Sequence, residues 1–336
     1  MTTPLLQVEN LRVEIATRHR DLVAIDDLSL SIGEGEVLGV VGESGAGKSI
    51  TGNAILGLLE RPARKTGGRI LLEGRRIDDL DEEEMRRLRG RQIGAVFQDP
   101  LASLDPLMTI GYQLVQTITT HLDIPRDEAR ERAARLLVEV GIPAPRERLD
   151  SYPHELSGGM RQRIVLALAF CCEPRVVIAD EPTTALDVSV QAQVIDLLKR
   201  MCRERGTAVM LVTHDMGVIA EAADRVAVMY AGRVVETGPT MDVLRASLHP
   251  YSRGLMASIP SMRRAVRDRA RADLPMIPGA MPRLDALPRG CAFHPRCPVA
   301  IARCARERPP FVPAGSSGGA CWLVADGASG EVPAHA

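Results

Sequence analysis

Residues 42–49 read Gly42-Glu43-Ser44-Gly45-Ala46-Gly47-Lys48-Ser49, a full match to the phosphate-cradling pattern GxxxxGK[ST]. Before it runs Glu36-Val37-Leu38-Gly39-Val40-Val41, an apolar stretch that suits a buried strand. After it, Ile50 to Leu59 predicts a first helix despite its glycines. The glycines let backbone N–H groups turn inward, and a helix N-terminus adds its partial positive charge. Lys48 is the candidate for the outer phosphates of a nucleotide, and the Ser49 hydroxyl for Mg²⁺. Lysine and arginine total 42, of which only Lys48, Lys65 and Lys199 are lysines. A lysine kept here suggests that a compact ammonium is wanted.

Working outward, 336 residues predict two or three domains at ~100–200 residues each. Apolar content of 45% and charged content of 25% are ordinary for a soluble globular chain. Aromatics are only 3%, so Leu, Val, Ile, Ala and Met must build the core. No apolar run is long enough to span a bilayer, and the N-terminus lacks a basic-then-apolar signal segment. The expectation is a cytoplasmic protein that reaches a membrane only through partners. Residues 261–336 carry 11 arginines against 6 acids, within a chain whose net charge is −1. Such a basic tail could touch nucleic acid or anionic lipid, but its aromatics are few (Phe293, Phe311 and Trp322), so a solvated surface is expected, with no nucleic acid as partner.

Alternating stretches in 5–32, such as Leu11 to Ile15 and Leu28 to Ile32, read as antiparallel strands, and 67–78 as a hairpin. Asp81 to Gly90 reads as a short helix, with acids in its first turn, arginines in its last and glycine past its end. Ile93-Gly94-Ala95-Val96-Phe97 is a second core strand, ending in Gln98-Asp99-Pro100. A glutamine there suits contact with Mg²⁺ or an attacking water. From about 101 to 174 helical periodicity takes over, with Ala129, Ala133, Leu136, Leu137 and Val140 on one face and Gly141 as the stop.

Leu156-Ser157-Gly158-Gly159-Met160 precedes an apolar helix, Ile164 to Cys171. Val176 to Glu181 is then an apolar strand ending in two adjacent carboxylates, Asp180 and Glu181. The first suits Mg²⁺ through water, the second the polarisation of a water attacking a γ-phosphate. Ala185-Leu186-Asp187 and, after another strand, Thr213-His214-Asp215 follow. Singly each piece is weak, since a pair of acids is more often a cap or an ion-pair partner.

In this order and spacing the chain resembles the ATP-binding subunit of an ABC transporter over residues 5–260. Tyr152 to Arg163, Gln98 to Pro106 and His249-Pro250-Tyr251-Ser252 resemble the dipeptide/oligopeptide (peptide/nickel) importer branch, in its first-ATPase type. The resemblance implies an α/β P-loop core with an antiparallel β subdomain, a helical subdomain at about 101–174 and a C-terminal extension over 261–336. It implies phosphate binding by Gly42 to Ser49, and a signature at Ser157, Gly158 and Gly159 that binds ATP held by an opposite subunit. Asp187 would cross that interface. Mg²⁺ would be held by Ser49, Gln98 and Asp180, with Glu181 as general base, His214 on the γ-phosphate and Gln98 linking the nucleotide to the membrane partner. Met160 replaces the commoner glutamine, a change usual in this branch. The implied partners are a second, paralogous ATPase, two transmembrane permease subunits and an extracytoplasmic substrate-binding protein, at the cytoplasmic face of the inner membrane. Peptides are the expected cargo, with nickel chelates or glutathione as alternatives, and a soluble ABC ATPase unconnected with transport as the rival.

The family usually stacks adenine on an aromatic residue near the N-terminus, yet 11–24 contains none. His19 is the only ring there, and Arg18 or Arg20 could lie over a base, so weaker base selectivity is expected. After about 260 proline becomes frequent, Arg263 to Ala272 reads as a charged linker helix or a solvated segment, and Cys291, Cys297, Cys304 and Cys321 cluster. Clustered thiols in a cytosolic chain suggest a metal. Zinc usually takes short CxxC pairs, missing here, whereas iron–sulfur clusters accept looser spacing. Gly290 to Pro298 also resembles the region that binds a [4Fe–4S] cluster in some peptide-importer ATPases. Cys171, Cys172 and Cys202 lie in apolar helical runs and are expected to be packing residues.

Overall fold

In the computed structural model, residues 4–184, 186–258 and 276–327 are described. The charged segment 263–272, expected as a linker, lies outside them, as does residue 185.

β1 (Leu6–Ile15) and β2 (Leu22–Ile32) form an antiparallel pair, and β4 (Ala63–Leu72) lies on the other side of β1. β5 (Arg75–Arg76) completes a four-stranded sheet in the order β2-β1-β4-β5. The alternating pattern sends Leu6, Val8, Leu11 and Val13 inward, as a sheet covered on one face requires. β3 (Val37–Val41) is buried at every position and leads into α1 (Lys48–Leu56). The helix is shorter than the sequence suggests: Gly57, left-handed at φ 65°, stops it after Leu56. α2 (Glu82–Leu88) has Asp81 and Glu84 in a reciprocal capping box.

β6 (Ile93–Val96) is followed by α3 (Ile110–His121), α4 (Arg126–Glu139) and the short α5 (Pro145–Arg148). α6 (Gly158–Phe170) packs on α3 and α4. Ala129, Ala133, Leu136, Leu137 and Val140 are all buried there. The chain then re-enters the sheet through β7 (Val176–Asp180), α7 (Val188–Arg205), β8 (Ala208–Val212), α8 (Met216–Ala222) and β9 (Arg225–Tyr230). Strands β6, β7, β8, β3 and β9 run parallel in that spatial order. β10 (Arg233–Pro239) returns antiparallel to β9, and α9 (Thr240–Arg245) and α10 (Pro250–Ala257) cover the end.

Residues 276–327 do not hang free of this core. α11 (Ala302–Arg306) precedes a hairpin, β11 (Val312–Ala314) and β12 (Ser317–Gly319), and α12 (Trp322–Ala325) follows. β12 pairs antiparallel with β10, Glu236 opposite Gly319, so the hairpin extends the core sheet to eight strands. Cys171, Cys172 and Cys202 are buried, as their apolar surroundings suggest. Among the described residues no helix is long and apolar enough to cross a membrane.

Candidate active site

Four neighbouring parallel strands point their carboxyl ends at one edge, where ligands gather in open α/β sheets. β3 delivers the phosphate loop, β7 delivers Asp180 and Glu181, β8 delivers Thr213 and His214, and β6 delivers Gln98. The register sets Val40 and Asp180 both opposite Val212. Residues spread over 170 positions of sequence are thereby brought to one place.

The loop holds Gly47 at φ 101°, and a Cβ there would lie 2.5 Å from Ile25 Cδ1. Only glycine takes that backbone without strain. Lys48 is buried, and its ammonium donates to the carbonyls of Gly42 (2.8 Å) and Glu43 (3.1 Å). Burial pulls its pKa down, and the charges of Glu181, Asp180 and Glu43 only partly offset that. Burial likewise pushes the Asp180 carboxyl up, with the Glu181 charge adding to it and a hydrogen bond from Ser49 opposing it. Asp180 Oδ1 is buried with no hydrogen-bond partner. An orphaned carboxylate oxygen beside the first hydroxyl of α1 suits a hard cation with oxygen ligands, as Mg²⁺ is.

Glu181 takes a left-handed backbone, φ 47°, a strained state that non-glycine residues adopt where surroundings impose it. Its N–H donates to Val212 O at 2.8 Å, tying it to β8. Gln98 Nε2 donates to Oε2 at 3.0 Å, Thr184 Oγ1 to the same oxygen at 2.9 Å, and His214 Nδ1 lies 2.9 Å from Oε1. Burial raises the carboxyl, but the hydrogen bonds from His214 and Thr184 outweigh it, and the pKa is lowered. Two adjacent acids are thus pushed in opposite directions. The ionised one is aimed by three side chains, an arrangement suited to a general base.

Ser157 caps α6, accepting from Met160 N, and Ser157 and Gly158 are exposed. Asp187 caps α7 in the same way, accepting from Val190 N and from the Ser189 hydroxyl, and these bonds lower its pKa. A Cβ on Gly159 would lie 2.8 Å from Val190 Cγ1. The signature and Asp187 therefore form one outward corner, separate in its bonding from the phosphate loop.

His19, Arg18 and Arg20 are exposed in the β1–β2 turn, and Arg20 donates to the Asp285 carbonyl of the extension. Cys291, Cys297, Cys304 and Cys321 line one cavity of about 20 Å³ together with Trp322 and His294. Burial raises the thiols of Cys291, Cys297 and Cys321, that of Cys297 to about 11. Among the described residues no group of three or more His, Cys, Asp or Glu stands close enough to hold a metal ion. The sequence-based expectation of a [4Fe–4S] cluster, with zinc as the alternative, thus finds the four cysteines along one cavity but no metal-binding group among the described residues. Sequence reasoning missed Thr184 on the base, and Tyr251, whose hydroxyl accepts from the Glu43 N–H at 2.8 Å. Both partners lie far along the chain or in an unremarked loop, and no spacing rule signals them.

Comparison with known proteins agrees with the geometry. Residues 25–184 match the ABC transporter family, and residues 235–304 match the oligopeptide/dipeptide transporter C-terminal region. A putative peptide import ATP-binding protein of Brucella abortus is 48% identical over 92% of this chain and 93% of its own. The oligopeptide transport ATP-binding protein OppD of Salmonella typhimurium is 47% identical over 91% of this chain and 89% of its own. A dimeric ATP-binding cassette solved in a post-hydrolysis state with ADP and Pi matches at a TM-score of 0.63 and 29% identity, covering 70% of this chain and 98% of that one. On identity over nine-tenths of its length, the chain belongs to the ATP-hydrolysing subunits of the ABC transporter family, in the branch with the oligopeptide/dipeptide transporter C-terminal region.

Proposed function

We propose that this subunit powers the import of peptides from the cytoplasmic face of the cell membrane. The observation that carries the hydrolytic part is the Glu181 carboxylate, held by Gln98, Thr184 and His214 beside the phosphate loop. The loop Gly42 to Ser49 binds the phosphates through backbone N–H groups other than that of Glu43, which Tyr251 takes, and Lys48 spreads its charge over the outer ones. Ser49, Asp180 and Gln98 would hold Mg²⁺, which would supply positive charge to neutralise the phosphates. Glu181 takes a proton from the water that attacks the γ-phosphorus. The bond from phosphorus to the bridging oxygen breaks, leaving ADP and inorganic phosphate. His214 keeps the carboxylate oriented and faces the γ-phosphate.

Two such domains close head to tail, with Ser157, Gly158, Gly159 and Asp187 of each completing the other's site. The exposed corner that they share supports this reading. A single phosphate loop and a single signature per chain call for a partner, here a paralogous ATPase. Phe97, Leu101, Leu107, Met108 and Tyr112, on either side of Gln98 in the chain, are exposed, and exposed apolar side chains suit an interface. Two permease subunits dock on it, and an extracytoplasmic binding protein supplies the cargo. The domain division is at about residue 260, with the helical subdomain at about 101–174 and the extension beyond.

The four thiols of the extension hold a [4Fe–4S] cluster. Their lining of one cavity supports this, with zinc, which draws four sulfurs to about 2.3 Å from one centre, as the alternative. The cavity has room for about one water-sized body, so a cluster would require its walls to move. Anaerobically purified protein lacking both iron and a brown absorbance would remove the cluster from this reading. The function is tested by ATP hydrolysis in the reconstituted complex, with the binding protein loaded in turn with short peptides and metal chelates. Stimulation by peptides is expected; stimulation by a chelate alone would move the protein to metal uptake.

A further inference from the structure

Glu43 is an awkward residue for its place. It lies inside a loop that receives a polyanion, and its charge is felt at Lys48. The structure restrains it from the far end of the chain. Arg296, buried and immediately before Cys297, donates to both Glu43 oxygens, Nη1 to Oε2 at 2.9 Å and Nη2 to Oε1 at 3.0 Å. Its remaining donors go to Tyr230 Oη (3.3 Å), Pro278 O (2.8 Å) and Gly279 O (3.4 Å). All five guanidinium N–H groups therefore have acceptors. Tyr251, which accepts the Glu43 N–H, stands edge-on to Tyr230 with ring centroids 4.7 Å apart, and Phe293 packs on both. Met281 Sδ lies 3.9 Å from where a Cβ on Gly45 would be, so the same stretch of the extension also borders the loop's middle.

We infer that Arg296 is a positioning residue of the nucleotide site: it draws the Glu43 carboxylate back and neutralises it, so that the phosphate loop can accept ATP. The bidentate fork fits this task, since two parallel bonds fix direction as well as charge. A released Glu43 would present an uncompensated carboxylate to the phosphates, and like charges at such range repel strongly in a partly buried site. The extension then belongs to the ATPase machinery, whatever its thiols hold. The inference rests on the phosphate loop binding ATP, which binding by the unaltered chain checks on its own.

The test is ATP affinity of the full chain, measured alongside emission from Trp322, the sole tryptophan. That residue sits in the extension under Arg303 and reports whether the extension is folded. Arg296→Ala is expected to weaken ATP binding about tenfold, and Arg296→Lys, which keeps charge but loses the fork, about threefold. The deciding variant is Arg296→Ala combined with Glu43→Gln. Removing the released charge should restore most of the affinity, a rescue that a merely structural role for Arg296 would not give. In the complex with its partner, the loss should lie in KM with kcat nearly intact. Unchanged affinity in folded Arg296→Ala, or no recovery in the double variant, overturns the inference. If Arg296→Ala unfolds the extension, with Trp322 emission at the denatured position, Arg296→Lys decides: a folded chain with full affinity also overturns it.

Discussion

The edge of the parallel sheet and the face where the extension meets the phosphate loop are both charged, but they treat charge in opposite ways. At the edge, Asp180 Oδ1 is buried without a partner and Lys48 is bonded only to carbonyls of its own loop. At the extension face, Arg296 has every donor satisfied by protein. Native interiors rarely leave polar groups unpaired, so the edge is incomplete until a ligand arrives. The extension face is complete already. One region is poised and the other is a brace.

The largest expected effect falls on the poised region. Glu181→Gln keeps the size of the side chain and its contact with Thr184, but removes the proton acceptor. General-base loss costs about 10²–10⁴ in rate, so kcat in the complex should fall by at least about a hundredfold while ATP still binds. Hydrolysis close to the unaltered rate would mean that another group takes the proton, and the reading of His214 and Gln98 as aimers of Glu181 would fall with it. The lowered pKa of Glu181 fixes the sign of the pH dependence. The carboxylate stays ionised through the neutral range, and base function is lost only as pH falls below the ordinary carboxylate range.

Two glycine substitutions sharpen the contrast at intermediate cost. Gly47→Ala puts a side chain on a φ of 101° and 2.5 Å from Ile25 Cδ1. Strain of about 1–3 kcal/mol is expected, read as weakened ATP binding with Trp322 emission unmoved. Gly290→Ala meets backbone instead: its Cβ would lie 2.2 Å from Cys304 O and 2.7 Å from Ala305 C. That contact cannot relax by a rotamer change, so Trp322 emission should shift, and ATP affinity should fall by the smaller factor expected for losing Arg296. Should Gly290→Ala leave ATP affinity untouched while moving Trp322, the brace would be shown to carry no load from the nucleotide site.

The same division governs how much of the molecule was legible in its sequence. The poised region was legible because its chemistry is local: glycines, Lys48 and Ser49 must stand at fixed offsets for one loop to wrap a phosphate. Each of Asp180, Glu181, His214 and Gln98 likewise ends or follows a strand whose apolar run announces it. The strand order that gathers them is not local, but the preference of parallel sheets for ligands at one edge made it inferable. The brace was not legible. Nothing in the spacing of Arg296 says that its partner is Glu43, 253 residues earlier. Nothing in Ser317 to Gly319 announces a strand that adds to β10, because three small residues carry no hydrophobic period. The cysteines were found by count and their lining of one cavity by the fold, while metal binding, which the count suggested, has no support in their arrangement among the described residues.

The smallest effect tests how the brace is fastened at its other end. Arg308 of the extension donates to Asp26 Oδ2 of β2 at 2.6 Å, and Arg233 shares that oxygen at 2.6 Å. Burial raises the Asp26 carboxyl, but the Arg233 and Arg308 bonds and charges outweigh it and hold the pKa below its ordinary value. A carboxylate depressed on folding stabilises above its unfolded pKa of about 4, and that contribution is lost as pH falls through the folded value. Arg308 is half exposed, with 45% of its side chain accessible, so water screens the pair and Arg233 remains when it goes. Arg308→Ala should therefore cost about 1 kcal/mol or less at pH 7, seen as a small drop in Tm. As acid protonates Asp26 in both proteins, the two Tm curves should converge. A gap that persists unchanged into acid would mean that Arg308 holds the extension by the packing of its stem and not by its charge. The brace would then be fastened to β2 as a hydrophobic contact, with Arg296 and Glu43 as its charged link to the nucleotide site.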